Sequence, residues 1–179
     1  MDFELNQKQN KSIQEFINLA NKKGATYLQY RDKINLHDIK LKNLKLIRRL
    51  WDRTLIVNDD IELAKYCDGI HVGQDDLNKI NSNKQKSIQY IRSKIGRKIL
   101  GLSTHNIKEV KEANLLDIDY IGLGAYRGTK TKKVNNILGK KLPQIAKYSK
   151  KPVAAIGGVR VDDQIEHIDF LVIGTNIYY

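Results

Sequence analysis

A chain of 179 residues can bury one sizeable core but is short for two, so a single domain over residues 1–179 is expected. With 32 Lys and Arg against 20 Asp and Glu, the formal net charge of +12 favours anionic partners, from nucleic acid to phosphorylated small molecules. The basic residues are scattered over "NKKG", "KLKNLK", "NSNKQK", "TKTKK" and "YSKK" without interleaved aromatics, which argues against a nucleic-acid stacking platform.

No apolar run approaches the roughly 18 residues of a membrane span, and "MDFELNQKQNK" lacks the apolar core of a signal peptide. Cys67 is the sole cysteine, so neither an internal disulfide nor a zinc knuckle can form, and it reads as a small packed residue. A soluble, cytoplasmic protein with no nucleic-acid or membrane partner is expected.

In chain order, "DFEL" (2–5) is a weak strand candidate, and Ile13, Phe16, Ile17 and Ala20 then repeat at the helical period. Strand-length apolar runs follow at "TYLQYR" (26–31), "TLIVN" (54–58), "GIHVG" (69–73), "KILGLS" (98–103), "DYIGLG" (119–124), "PVAAIGG" (152–158) and "DFLVIG" (169–174). Several are apolar at consecutive positions, as strands buried on both faces should be. Between them, Leu36, Ile39, Leu44, Ile47 and Leu50 form a second helical stripe. Ile107, Val110 and Ala113 open a third, behind a capping box of Asn106 and Glu109.

Repeated strand-then-helix alternation predicts a parallel sheet, and this many units favour a closed (β/α)8 barrel over an open doubly wound sheet. Neither a Gly-x-Gly-x-x-Gly nor a Walker loop supports the open alternative. Only "DFEL" could supply an eighth strand, and Tyr179 follows the last run too closely for a final helix. Either the barrel is trimmed at its seam or a neighbouring subunit covers the gap, as in a homo-oligomer.

In such a barrel the active-site residues come from the C-terminal ends of the strands. Gln29, Arg31 and Lys33 share one face of an extended segment and can grip an anion, without which the two cations would repel one another. The next run ends in Asn58, Asp59 and Asp60. Alone, "DDIE" is a helix start, with Asp59 or Asp60 as cap. The run after it ends in "GQDD", where Asp75 and Asp76 could also cap.

Neighbouring strands lie about 4.8 Å apart, so both acidic ends should open onto one mouth. Two carboxylates about 4 Å apart repel by roughly 4 kcal/mol at an effective dielectric near 20, a cost a bound cation removes. Oxygen ligands of this kind suit Mg2+. Ser103 and His105 follow, then Thr129, Thr131 and Lys132 beyond a glycine-rich segment, a plausible phosphate clamp. Gly157, Gly158, Gly174 and Thr175 end the last two runs, where barrels commonly bind phosphate. His37 and His71 have no partner pattern and read as structural or solvated.

The ordered set "QYRDK", "IVNDDIELA", "DGIHVGQDD", "LGLSTHN", "YIGLG", "TKTKK" and "VAAIGGV" resembles the thiamine phosphate synthase family, from about residue 10 to residue 177. The resemblance implies a (β/α)8 TIM barrel, here trimmed at its N-terminal strand and lacking the final helix. It also implies an Mg2+-dependent transferase that joins an aminopyrimidine methyl diphosphate to a thiazole phosphate, releasing diphosphate.

By the same carry-over, Gln29, Arg31, Lys33, Asn58, Ser103 and Lys132 hold the pyrimidine diphosphate, and Asp59 and Asp76 bind Mg2+. Thr129, Thr131 and Gly158 meet the thiazole phosphate, with Gly174 and Thr175 at its last contact. Arg31, Lys33, Lys132 and Ser103 are the residues expected to carry catalysis. Asp60 is then left to cap the helix while Asp59 turns to the cation.

Two departures stand out: "GAYRGTKTK" lacks the prolines usual before the threonines, and "IGTN" replaces a serine-containing "ISAI". A related branch of the family aromatises the thiazole as a tautomerase and generally lacks the metal-binding acids; in that reading His105 serves proton transfer. A third reading is a catalytically degenerate barrel that binds phosphorylated ligands.

Overall fold

The structure, a computed structural model, describes residues 1–128 and 137–179. The chain divides into two compact units, residues 1–71 with 95–99, and residues 72–94 with 100–179. In both, parallel strands alternate with helices, an α/β arrangement.

The first unit runs α1 (Phe3–Lys8), α2 (Ile13–Lys22), β1 (Tyr27–Tyr30), α3 (His37–Leu50), β2 (Thr54–Asn58), a 3-10 turn (Leu63–Tyr66) and all but the last residue of β3 (Gly69–Val72). Gln29 on β1 lies opposite Ile56 on β2, and Asn58 opposite His71 on β3. α2 starts at a Ser12–Glu15 capping box and buries Ile13, Phe16, Ile17 and Ala20, the stripe read from the sequence. α3 buries Leu44 and Ile47, but Leu36 and Ile39 are 81% and 46% exposed. Leu36 is the N-cap, outside the helix whose stripe it was assigned to.

Residues 2–5 are not a strand. Asp2 caps α1, its carboxylate accepting from Leu5 N at 3.0 Å, and Glu4 lies in the first turn. A cap plus an acidic first turn stabilises a helix start and here prevails over the weak alternation. The edge keeps one pairing, the parallel bridge of Asp2 with Arg31.

The second unit holds α4 (Gln74–Ile80), most of α5 (Lys84–Ile95) and of β4 (Ile99–Thr104), α6 (Ile107–Ala113), β5 (Tyr120–Gly124), α7 (Leu142–Ala146), β6 (Val153–Ile156) and β7 (Phe170–Leu171). Parallel pairing sets Ser103 opposite Gly122, Gly122 opposite Ala154, and Ala155 opposite Leu171. Strands therefore form within all seven apolar runs, though the run at 169–174 pairs over only two residues. Phe170 is 39% exposed there, so little burial holds the strand. No helix among the described residues is long and apolar enough to cross a membrane.

A repeated heptapeptide organises the opposite, N-terminal strand ends: "CDGIHVG" (67–73), "IDYIGLG" (118–124) and "IDFLVIG" (168–174). The Asp carboxylate of each accepts an N–H from the first two residues of the neighbouring strand at 2.7 Å: Asp68 from Leu55, Asp119 from Leu100 and Asp169 from Val153. Arg48 and Arg92, from α3 and α5, brace the first two aspartates at 2.8 Å. Asp119→Ala leaves the N–H of Leu100, a fully buried residue, without its acceptor. Stability is expected to fall by about 1–3 kcal/mol in denaturant melts, with unchanged turnover per folded molecule.

Candidate active site

Three segments of the first unit meet at the C-terminal strand ends. Gln29 Nε2 donates to Asn58 Oδ1 at 2.7 Å, and Asn58 Nδ2 in turn donates to Asp59 Oδ2. Lys33 forms an ion pair with the same Asp59 oxygen. Gln29, Asn58, Asp59 and Lys33 thus form one connected polar string across β1 and β2. Arg31, beside it, pairs with the Asp2 carboxylate. The cationic repulsion expected from the sequence is therefore relieved within the chain, since Arg31 and Lys33 each meet a carboxylate.

The backbone separates the two adjacent aspartates. Asp59 has φ of +63°, a left-handed conformation that Asp tolerates better than most residues, and its N–H reaches His71 O at 2.9 Å. Beyond this kink, Asp60 Oδ1 accepts from Leu63 N at 3.1 Å, at the start of the 3-10 turn. Asp60 caps, while Asp59 faces Lys33 and Asn58.

Asp32 was missed by sequence reasoning. It alternates with Arg31 and Lys33, is buried, and accepts from Tyr30 OH (2.7 Å), Ile34 N (3.1 Å), Asn35 N (3.0 Å) and Asn35 Nδ2 (2.9 Å). Burial pushes its carboxyl up, but the hydrogen bonds from Asn35, Tyr30 and Ile34 outweigh that and hold its pKa below the usual value. This network fixes the turn that carries Lys33. Its sequence signal was an acidic residue between two cations.

Two buried groups stay uncharged at neutral pH. Burial lowers the pKa of His71 to about 4, leaving it neutral, and pushes the Cys67 thiol up to about 12.

In the second unit, Ser103 sits half-buried near the end of β4, its backbone oxygen accepting from Gln74 Nε2 at 2.7 Å. Asp76 lies in the first turn of α4, paired with Lys79 at 2.8 Å. One of its oxygens lies 3.0 Å from where a Cβ on Gly73 would stand. Asn106 caps α6 by accepting from Glu109 N at 2.9 Å, and Glu109 reaches back to His105 N and Nδ1, both at 2.9 Å. The Asn106 half of the predicted capping box is therefore in place, while the return bond from Glu109 goes to His105 instead of the N-cap N–H.

Gly157 and Gly158, just past β6, have φ of +86° and +65°. A Cβ at Gly157 would come within 2.5 Å of Ala125 Cβ, and one at Gly158 within 2.6 Å of Arg127 Cβ, so both positions require glycine. Gly174 is the N-cap of the terminal 3-10 turn (Thr175–Tyr178). Thr175 Oγ1 is buried with no hydrogen-bond partner among the described residues. Thr129, Thr131 and Lys132 lie outside the described residues.

Comparison with known proteins gives a consistent answer. A family model described as thiamine monophosphate synthase matches residues 4–172. A thiamine-phosphate synthase of Persephonella marina is 40% identical over 157 residues, 83% of this chain and 70% of that protein. One of Methanobrevibacter smithii is 36% identical over 175 residues, 92% of this chain and 79% of that protein. The solved structure of a thiamine phosphate pyrophosphorylase from Pyrococcus furiosus superposes with a TM-score of 0.64 at 25% identity, over 86% of this chain and 72% of that one. That neighbour supports the α/β, TIM-barrel-like class read from the sequence.

Proposed function

The chain belongs to the thiamine monophosphate synthase family of transferases, and we propose that it condenses an aminopyrimidine methyl diphosphate with a thiazole phosphate, using Mg2+, to give thiamine phosphate and diphosphate. The observation that carries this reading is the polar string Gln29–Asn58–Asp59–Lys33 with Arg31 beside it, at the strand ends where a barrel enzyme keeps its chemistry.

In the step itself, the bond between the pyrimidine methylene carbon and the diphosphate oxygen breaks, and the electron pair leaves with diphosphate. The thiazole nitrogen lone pair forms the new carbon–nitrogen bond. No proton has to move and nothing is oxidised, so no protein base or nucleophile is needed.

What the enzyme must do is stabilise the charge growing on the leaving group. Arg31, Lys33 and Lys132 supply positive charge, while Gln29, Asn58 and Ser103 donate hydrogen bonds to the pyrimidine diphosphate. Arg31 and Lys33 exchange Asp2 and Asp59 for the incoming diphosphate, a trade of one anion for another rather than an uncovering of bare charge. Thr129, Thr131, Gly158, Gly174 and Thr175 take the thiazole phosphate; the unpartnered hydroxyl of Thr175 supports its assignment, since a ligand oxygen restores its missing hydrogen bond.

Asp59 and Asp76 are the proposed Mg2+ ligands. The donor chemistry fits that ion: both side chains are hard carboxylate oxygen donors, and Mg2+ is typically held by one or two carboxylates plus substrate phosphate. Bound Mg2+ supplies Lewis-acid neutralisation of the departing diphosphate.

The test of the metal requirement is turnover with Mg2+ and with excess chelator. Thiamine phosphate is expected to form in the first and to vanish in the second, returning when Mg2+ is restored. Equal rates in both contradict the metal role.

A further inference from the structure

The turn at Gly157 and Gly158 is held from outside by a residue that neither the sequence reading nor the proposed site includes. Tyr126 N donates to Ile156 O and Arg127 N to Gly157 O, each at 2.8 Å, and Arg127 Nη1 donates to Gly158 O at 3.1 Å. Three consecutive carbonyls therefore point to the Tyr126–Arg127 segment. In a trans peptide the N–H lies opposite the carbonyl, so the N–H groups of Gly157, Gly158 and Val159 aim to the other side. Successive backbone N–H groups presented together make an anion-binding concavity.

Arg127 is itself fixed. Its Nη1 and Nη2 grip Asp163 Oδ2 and Oδ1 at 2.6 and 2.7 Å, and its guanidinium stacks on the Tyr126 ring at 4.4 Å. Asp163 Oδ2 also accepts from Arg160 N at 2.8 Å, which ties the clamp to the segment following the turn. On the far side, Asn176 Nδ2 donates to Val159 O at 2.9 Å. The segment from Gly124 to Gly128 contains no proline to restrict its backbone, and these bonds are what tie it to the turn.

We propose that Arg127 and Asp163 are positioning residues: their bidentate pair holds the Gly157–Gly158 turn so that three backbone N–H groups converge on the phosphate of the thiazole substrate. The inference rests on the proposed synthase reading for the identity of that phosphate. The guanidinium is engaged by Asp163 and Gly158 O, so it acts on the phosphate through the turn and not by contact. Hydrogen bonding between the partners raises the pKa of Arg127 and lowers that of Asp163, as a persistent pair requires. Lysine cannot replace arginine here, because one ammonium cannot grip both carboxylate oxygens and Gly158 O in a fixed fork.

The test is a KM comparison on the full chain, with both substrates and Mg2+, for the native protein, Arg127→Met, Arg127→Lys and Asp163→Asn. Arg127→Met is expected to raise the KM for the thiazole phosphate by about tenfold or more, with the KM for the pyrimidine diphosphate unchanged. Arg127→Lys and Asp163→Asn should show the same split to a smaller extent. Asp163→Asn preserves side-chain shape, and its thermal midpoint checks that the split is not unfolding. Equal changes in both KM values, or none in either, overturn the proposal.

If the native protein forms no thiamine phosphate, the synthase reading fails but the clamp is still tested. Inorganic phosphate is then titrated calorimetrically with Mg2+ and inorganic diphosphate present. Binding about tenfold weaker in Arg127→Met supports the clamp, and identical binding, or none to either protein, overturns it.

Discussion

Lys33→Ala is expected to lower kcat by about a hundredfold to a thousandfold while the protein stays folded. Lys33 stands on the turn fixed by Asp32 and pairs with Asp59 across the strand ends, and the proposed reaction assigns it to the charge developing on a leaving diphosphate. Its side chain is 44% exposed, and an ion pair so open to solvent contributes at most about 1 kcal/mol to stability. The variant should therefore melt nearly as the parent does. Asp59 retains Asn58 as a donor, which limits rearrangement. Product formation measured beside a thermal melt checks both halves; near-normal kcat would remove Lys33 from the chemistry.

The second large effect separates two adjacent carboxylates. Asp59→Asn keeps the side-chain size and the tolerance for a left-handed backbone, but removes the charge facing Lys33. It should lose turnover by about a hundredfold or more, with little change in stability. Asp60→Ala should do the reverse, losing about 1 kcal/mol through the missing acceptor for Leu63 N and turning over nearly normally. Assays and denaturant melts of the pair decide the matter. If Asp60→Ala loses turnover and Asp59→Asn does not, the roles are exchanged and the metal assignment falls with them.

Much of this arrangement was legible in the sequence because it is local. Runs such as "TLIVN" and "YIGLG" are apolar at consecutive positions, a pattern that strands covered on both faces impose, and strands stand there. The stripe Ile13, Phe16, Ile17 and Ala20 likewise reports a helix with one buried face. The capping role of Asp60 could be read because an aspartate just before apolar residues resume is a local helix-start signal.

What escaped were contacts between distant segments and some local details of helix starts and turns. Arg127 and Asp163 are 36 positions apart, and Arg31 and Asp2 are 29 apart, and nothing periodic announces either pair. Leu36 and Ile39 fit the helical stripe by spacing alone, yet the helix begins at His37 and both side chains are exposed. "DFEL" alternated weakly like a strand, but Asp2 is a helix cap, and a local hydrogen bond outweighs alternation over so few residues. The heptapeptide repeat was visible in the letters; its meaning, an aspartate holding an N–H at the start of the neighbouring strand, emerges only once the strands are paired.

Product analysis is the most direct test of the proposed condensation. Purified protein, the aminopyrimidine methyl diphosphate, the thiazole phosphate and Mg2+ are combined, and thiamine phosphate and diphosphate are both quantified. The proposed condensation predicts the two in equal amounts, appearing together from the first turnovers. An isomerised thiazole phosphate with no diphosphate released, or no product from either substrate, would contradict it.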